Sequence, residues 1–290
     1  MLKRKAVFIP LFIILTSLCF CPTPSKAYAM PFYQLNPQKI VVRATFETSF
    51  ASSTPERKHN ISLASQALNN SFIEPNAEFS FNQRLGVRSE KKGYKNAKII
   101  VDGKFVDGVG GGVCQVSTTL YNALLLSGMN VIEHHPHSLA VSYVSPSCDA
   151  MVSYGHSDLK FINCTDNPIL IKSSTTNDKL TITILGCPMQ EKYTVKSIVT
   201  GEIPSTEERV SLENTSLFPD LKEGEKKYLI YPKNGVKSEA YIIKSINGKV
   251  IEKKLIRRDK YRSITGVYVE GEKQTESIDN NALRLAIWKV

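Results

Sequence analysis

The chain has 290 residues, 42% of them hydrophobic, and a formal net charge of +10. That length holds two globular domains with buried cores, and six cysteines in it are too few for a small disulfide-stapled scaffold. The basic residues are not interleaved with aromatics, which argues against a nucleic-acid surface and for an anionic envelope or plain solubility.

Lys3, Arg4 and Lys5 precede the apolar stretch Ala6 to Phe20, and the small-residue pattern Ala27-Tyr28-Ala29 follows. This is the order of a secretory signal peptide, so residues 1–29 are expected to direct export and to be cleaved after Ala29. The stretch is short against the roughly 20 residues of a bilayer crossing, so membrane contact is expected only if the leader stays uncleaved. Loss of Lys3, Arg4, Lys5 and Lys26 would bring the charge to about +6. Cys114, Cys148, Cys164 and Cys187 would remain, with at least one free thiol expected and the pairing open.

The segment Lys39 to Phe46 alternates and is rich in β-branched residues, which predicts a strand. Ile61, Ala64, Leu68 and Phe72 then recur at helical spacing, and Pro75 ends that helix. Phe79 to Asn82 reads as extended, and Arg84 to Lys98 as loop or irregular structure. A second helix is expected from near Cys114 to Gly128, with Val116, Leu120 and Leu124 on one face and Gly128 as its C-terminal cap. Strands are predicted over Ser138 to Val144, Asp158 to Asn163, Pro168 to Ser174 and Lys179 to Leu185. Beyond Cys187 come shorter Lys/Glu-rich strands: Lys192 to Thr200, Lys226 to Tyr231, Glu239 to Ile246 and Lys249 to Arg257, the last two joined by a hairpin turn at Asn247 to Lys249. The expected fold class is α+β: two helices packed on a mainly antiparallel sheet over 39–187, then a small all-β domain over 190–271 and a tail at 272–290.

Cys114 stands where Gly110, Gly111 and Gly112 give way to the second helix. A helix N-terminus lowers a thiol pKa below the usual ~8.5, and a glycine turn brings backbone N–H groups close to a bound chain. A small buried cysteine after a tight loop is the bland alternative. A nucleophile needs a base, and His137 in "EHHPHSLAVSY" is the choice over His134 and His135, because Pro136 sets an extended entry to it. Asp149 and Asp158 are the carboxylates placed to orient the imidazole. The histidine and cysteine spacing fits no standard zinc pattern, so no metal and no cofactor is expected.

The runs "GGGVCQVSTTLYNALLLSG", "PHSLAVSYV" and "DAMV", with "ERKHNISLASQALNN", "EFSFNQRLG", "KGYKNAKII" and "DLKFIN" outside them, closely resemble the VanW family over Lys39 to Gly186. The resemblance implies a cell-wall protein, exported, in which Cys114 is the nucleophile and His137 the base of an L,D-transpeptidase that joins peptidoglycan stem peptides through an acyl-enzyme. His134 stands where the family usually has an arginine, Cys148 where a glycine is common, and "PNAEFSF" where "PGE" precedes "FSF". The segment from about Gln190 to Gly271 resembles a diverged G-five module, which implies contact with wall glycan or a structural spacer.

On that basis Gly111, Gly112 and the Cys114 backbone would form an oxyanion loop, with Gln115 adding a side-chain donor. Ser117 and Thr118 are further substrate-binding candidates, and Arg84 and Arg88 are candidates for peptidoglycan carboxylates. A wall peptidase or carboxypeptidase using the same thiol, and a non-catalytic peptidoglycan-binding protein, are the alternatives left open.

Overall fold

The computed structural model describes residues 40–176, 178–210 and 221–271; the expected signal peptide (1–29) and tail (272–290) lie outside them. Strand β1 (Val41–Ser49) leads into helix α1 (Pro55–Leu68). Thr54 caps α1 by accepting from the Arg57 amide at 3.3 Å, and Pro55 opens it where no backbone N–H is needed. The helix stops before Phe72, which the spacing had placed on its face. Asn70 takes a left-handed conformation, φ +59°, and Phe72 lies in strand β2 (Ser71–Ile73).

Strand β3 (Glu78–Ser80) and the short helix α2 (Phe81–Leu85) follow, with Ser80 Oγ accepting from the Gln83 amide to cap α2. The stretch expected to be irregular before Lys98 runs into a hairpin of β4 (Asn96–Val101) and β5 (Lys104–Val109). Its two-residue turn, Asp102-Gly103, has φ of +50° and +82°, the conformation that Asp-Gly favours between paired strands. Helix α3 (Val113–Leu126) comes next and ends at Gly128, φ +75°, as expected.

After β6 (Asn130–Glu133), the alternating run Ser138 to Val144 is not a strand. No neighbouring strand pairs with it among the described residues, and Ala140 to Tyr143 instead line a cleft. Strands β7 (Lys160–Ile162), β8 (Ile169–Thr176) and β9 (Lys179–Gly186) complete this part. β1, β9, β8 and β2 form one antiparallel sheet in that order. Ile169, Ile171, Leu180, Ile182 and Ile184 point from one face of it into the core, where α1 and α3 pack.

The second β region holds β10 (Glu191–Ile203), β11 (Glu207–Arg209), β12 (Lys226–Ile230), β13 (Gly235–Ile246), β14 (Lys249–Tyr261) and β15 (Gly266–Glu270). β10, β13 and β14 make one antiparallel sheet; β11, β15 and β12 make another, with β11 parallel to β15. The Asn247-Gly248 turn joins β13 to β14 as expected.

Two helices on an antiparallel sheet describe the first region, but α+β does not describe the chain. Strands take 49% of the described residues and helices 16%, so the protein is mainly β. The difference comes from the unforeseen β4–β5 hairpin and from β13 and β14, which run 12 and 13 residues where shorter strands were expected.

Candidate active site

The glycine turn before α3 is held by close approach. A Cβ on Gly111 would lie 2.7 Å from the Lys98 carbonyl oxygen and 2.8 Å from the Ala97 carbonyl carbon, both backbone atoms that cannot swing away. Gly112, φ +110°, packs against Ile61 and Arg57, where a Cβ would meet them at 2.9 and 3.1 Å. Gly111→Ala is therefore expected to cost about 2–3 kcal/mol of stability, read by denaturant unfolding; an unchanged midpoint would mean the turn has room that its geometry denies.

α3 is buried on nearly every side, including its hydroxyls. Ser117 Oγ donates to the Ala150 carbonyl at 2.6 Å, Thr118 Oγ1 accepts from the Ala150 amide at 2.9 Å, and Asn122 Nδ2 donates to the Cys148 carbonyl at 2.7 Å. These bonds clip the segment Cys148 to Ala150 along the helix and leave Asp149 at a fixed height beside it. Ser117 and Thr118, which are fully buried, thus serve this docking and not a substrate.

Asp149 in turn holds His137. Its Oδ2 accepts from the His137 amide at 2.7 Å and stands 2.6 Å from His137 Nδ1. With Nδ1 so engaged, Nε2 is the ring nitrogen left for Cys114, with which the imidazole interacts. The Cys114 sulfur is half-buried, 3.4 Å from the Val152 carbonyl oxygen. Burial alone would push its thiol up, but the bond to His137 and the imidazole's charge outweigh that and hold the pKa below the ordinary value. Burial likewise opposes the imidazolium, yet Asp149 and Cys114 raise His137 to about 9. Asp149 lies below the usual carboxylate range, because His137 and Arg257 outweigh its burial. Both shifts favour the thiolate–imidazolium form of the pair over the neutral one.

A reactivity profile follows. Alkylation of Cys114 by iodoacetamide is expected to stay fast well below pH 8.5, where an ordinary thiol loses about tenfold per unit, and His137→Ala is expected to move the inflection up. An inflection near 8.5 in the unaltered protein would remove the ion pair.

The other end of Asp149 is anchored from the second β region, by residues that lie on β14 and that motif reading missed. Arg257 donates from Nη2 to Asp149 Oδ1 at 3.1 Å and from Nη1 to the Asp149 carbonyl at 2.7 Å. Tyr261 OH donates to Asp149 Oδ1 at 2.5 Å and accepts from the Ser147 amide at 2.7 Å. Both side chains are buried, and Arg257 also pairs with Asp259. Their only sequence signal was the basic run "KKLIRRDKY", which reads equally as a solvated edge.

Asp158, the other carboxylate considered, is far from this role: it accepts from Ser80 Oγ and from the amides of Asn82 and Leu159, and so caps α2. His134 stacks on Tyr121 with centroids 5.0 Å apart, its pKa lowered to about 4 chiefly by burial, and His135 pairs with Glu133. Cys148 is buried, which raises its thiol to about 11.

Gln115 is not an oxyanion donor: its Nε2 donates to Thr48 Oγ1 at 3.0 Å and to the Ser49 carbonyl at 2.9 Å, and its Oε1 accepts from Arg57. Arg84 is exposed, reaches the Asn69 carbonyl at 3.4 Å, and takes no part in the cleft. Arg88 does, as does Arg57, which no motif singled out.

Cys114 and His137 open into a cleft of about 730 Å³, walled by Gly110 to Gln115, the β4–β5 hairpin, Ala140 to Tyr143 and Met151 to Tyr154. Among the described residues no helix is long and apolar enough to cross a membrane.

The comparisons with known proteins fall on this region. The chain is 45% identical over 139 residues to YoaR of Bacillus subtilis, spanning 48% of this chain and 46% of YoaR. It is 29% identical over 127 residues to the vancomycin B-type resistance protein VanW of Enterococcus faecalis, spanning 42% of this chain and 46% of that protein. The chain thus spans about half the length of the curated relatives it matches. Two solved G5 domains, HP0197-G5 and that of an IgA1 protease, are similar to 29% of the chain each, at 19% and 23% identity and TM-scores of 0.16 and 0.19, with 100% and 92% of their own chains covered. The model of the family described as VanW like protein matches residues 56–185, and the stretch that carries Cys114, His137 and Asp149 is accordingly a VanW-family domain.

Proposed function

We propose that this chain is an exported, cysteine-dependent L,D-transpeptidase acting on peptidoglycan stem peptides. The observation that carries the proposal is the Cys114–His137–Asp149 array, with the thiol pulled down and the imidazole pushed up, at the first turn of α3 in an open cleft. Similarity to a protein named for vancomycin resistance supports a role at the cell wall.

In the first half-reaction the Cys114 thiolate attacks the carbonyl carbon that follows an L-centre in a donor peptide. The Cys114 N–H, in a first helical turn where amides have no intrahelical partner, faces the oxyanion. The C–N bond breaks as His137 gives its proton to the departing amine, and a thioester remains. In the second half-reaction the amine of a neighbouring stem attacks the thioester, neutral His137 takes its proton, and Cys114 leaves as thiolate.

The test is intact-protein mass spectrometry of the reduced protein with a disaccharide tetrapeptide, beside Cys114→Ala, with the muropeptides analysed in parallel. A thioester on Cys114 and new amide-linked dimers are the expected result. A thioester with shortened monomers alone would make the enzyme a hydrolase, and no adduct from folded protein would overturn the cysteine mechanism.

A further inference from the structure

Among the described residues the cleft carries no carboxylate on its walls. Its charged lining residues are Arg57, Arg88, Lys98 and Lys233, beside His137. Lys98 is paired with Asp107 at 2.9 Å. Arg88 sits with its guanidinium 5.8 Å over the Phe81 ring, and its terminal nitrogens are shut from solvent and have no hydrogen-bond partner among the described residues.

Arg57 is different. Its Nη1 donates to Ser53 Oγ at 2.6 Å and its Nη2 to Gln115 Oε1 at 2.8 Å, both neutral oxygens, and among the described residues no acid pairs with it. Gln115 is itself pinned by Thr48 and Ser49, and the stem of Arg57 lies against Gly112, two residues before Cys114. The guanidinium is therefore aimed and held before any ligand arrives, with its charge unneutralised and further N–H groups to give. Its own pKa is lowered by burial, which outweighs the opposing effect of Tyr143 and Cys114.

We infer that Arg57 binds a free carboxylate of the acyl donor: the terminal carboxylate of the residue that leaves when Cys114 attacks. The inference rests on Cys114 as nucleophile and specifies the donor class, a peptide ending in a free acid one residue beyond the attacked carbonyl. One residue of chain, about 3.8 Å, separates those two groups in such a donor, and Arg57 lines the same cleft as Cys114. A guanidinium matches a carboxylate in plane and charge. A donor ending in a neutral amide would leave that cation buried without an anion, which is where discrimination arises.

The test separates this from the chemistry. Full-length Cys114→Ala protein, which forms no thioester, is titrated calorimetrically with a synthetic tetrapeptide as free acid and as C-terminal amide. The acid is expected to bind about 30-fold more tightly, and adding Arg57→Gln is expected to bring the ratio to within about threefold of one, with Arg57→Lys between. Equal binding of the two forms, binding of neither, or a ratio that survives Arg57→Gln overturns the inference. The acid-against-amide comparison needs no change at Arg57, so it stands even if that variant fails to fold. Acid preference without a thioester in the unaltered protein would sink the transpeptidase and spare the carboxylate site; thioester from acid and amide alike would do the reverse.

Discussion

An Asp149→Asn variant is expected to remain folded and to lose roughly 10³- to 10⁴-fold in the rate of acyl-enzyme formation. The carboxylate makes two bonds to His137, to its amide and to Nδ1, and an amide side chain cannot accept at both while still accepting from Arg257 and Tyr261. With an NH₂ group facing Nδ1, the imidazole is driven to the tautomer that protonates Nε2, and it can no longer be stabilised as imidazolium beside the sulfur. Single-turnover acylation measures the loss, and alkylation of Cys114 should shift toward the pH of an ordinary thiol in step. A variant within tenfold of the parent would mean that the imidazole is positioned by something else.

Stability gives an independent readout with a definite sign. His137 is raised from 6.5 to about 9, so its contribution is complete below pH 6.5 and disappears as pH rises through about 9. Asp149 is lowered, so its contribution is present above its unfolded value of 3.8 and disappears as pH falls through its folded one. The parent should therefore lose stability on the alkaline side, through pH 9, by more than the asparagine variant does.

The second large effect is expected at Arg257. Replacing it by methionine keeps the stem but strands the buried Asp149 and Asp259 carboxylates, at an expected cost of about 3–5 kcal/mol by urea unfolding. Tyr261→Phe removes one bond to a charged oxygen and should cost about 1.5–3 kcal/mol. Acylation should fall in the Arg257 variant even at temperatures where it is fully folded, because Asp149 would then hold its proton more tightly. A change under 1 kcal/mol would show that solvent or Asp259 rearrangement takes over the role of the pair.

These residues also mark where sequence reasoning reached and where it stopped. Cys114, His137 and Asp149 lie within one short stretch, and each has a local signature: a glycine turn opening a helix, an X-Pro entry to a histidine, an acid shortly after. The choice between Asp149 and Asp158 was left open because both are acids of similar spacing; only the capping bonds to Ser80, Asn82 and Leu159 remove Asp158. Arg257 and Tyr261 meet Asp149 from more than a hundred residues away, and no periodicity in β14 distinguishes a buried arginine from an exposed one. Ser138 to Val144 had the alternation of a strand but, among the described residues, no partner strand to complete its ladder. The β4–β5 hairpin did have a local signal, Asp102-Gly103, passed over beside the glycines nearer Cys114.

The anchoring of Asp149 from β14 has a bearing on how such chains diversify. The family match stops at residue 185, yet the chemistry proposed for it leans on side chains at 257 and 261. A module that buries its arginine against the carboxylate beside His137 is not an interchangeable attachment. Grafting another β module onto this VanW domain, or lengthening the connection at Cys187 to Gln190, would have to restore a cation and a phenol at the same place. A change at Arg257 or Tyr261 is thereby a change at Asp149, and through it at His137.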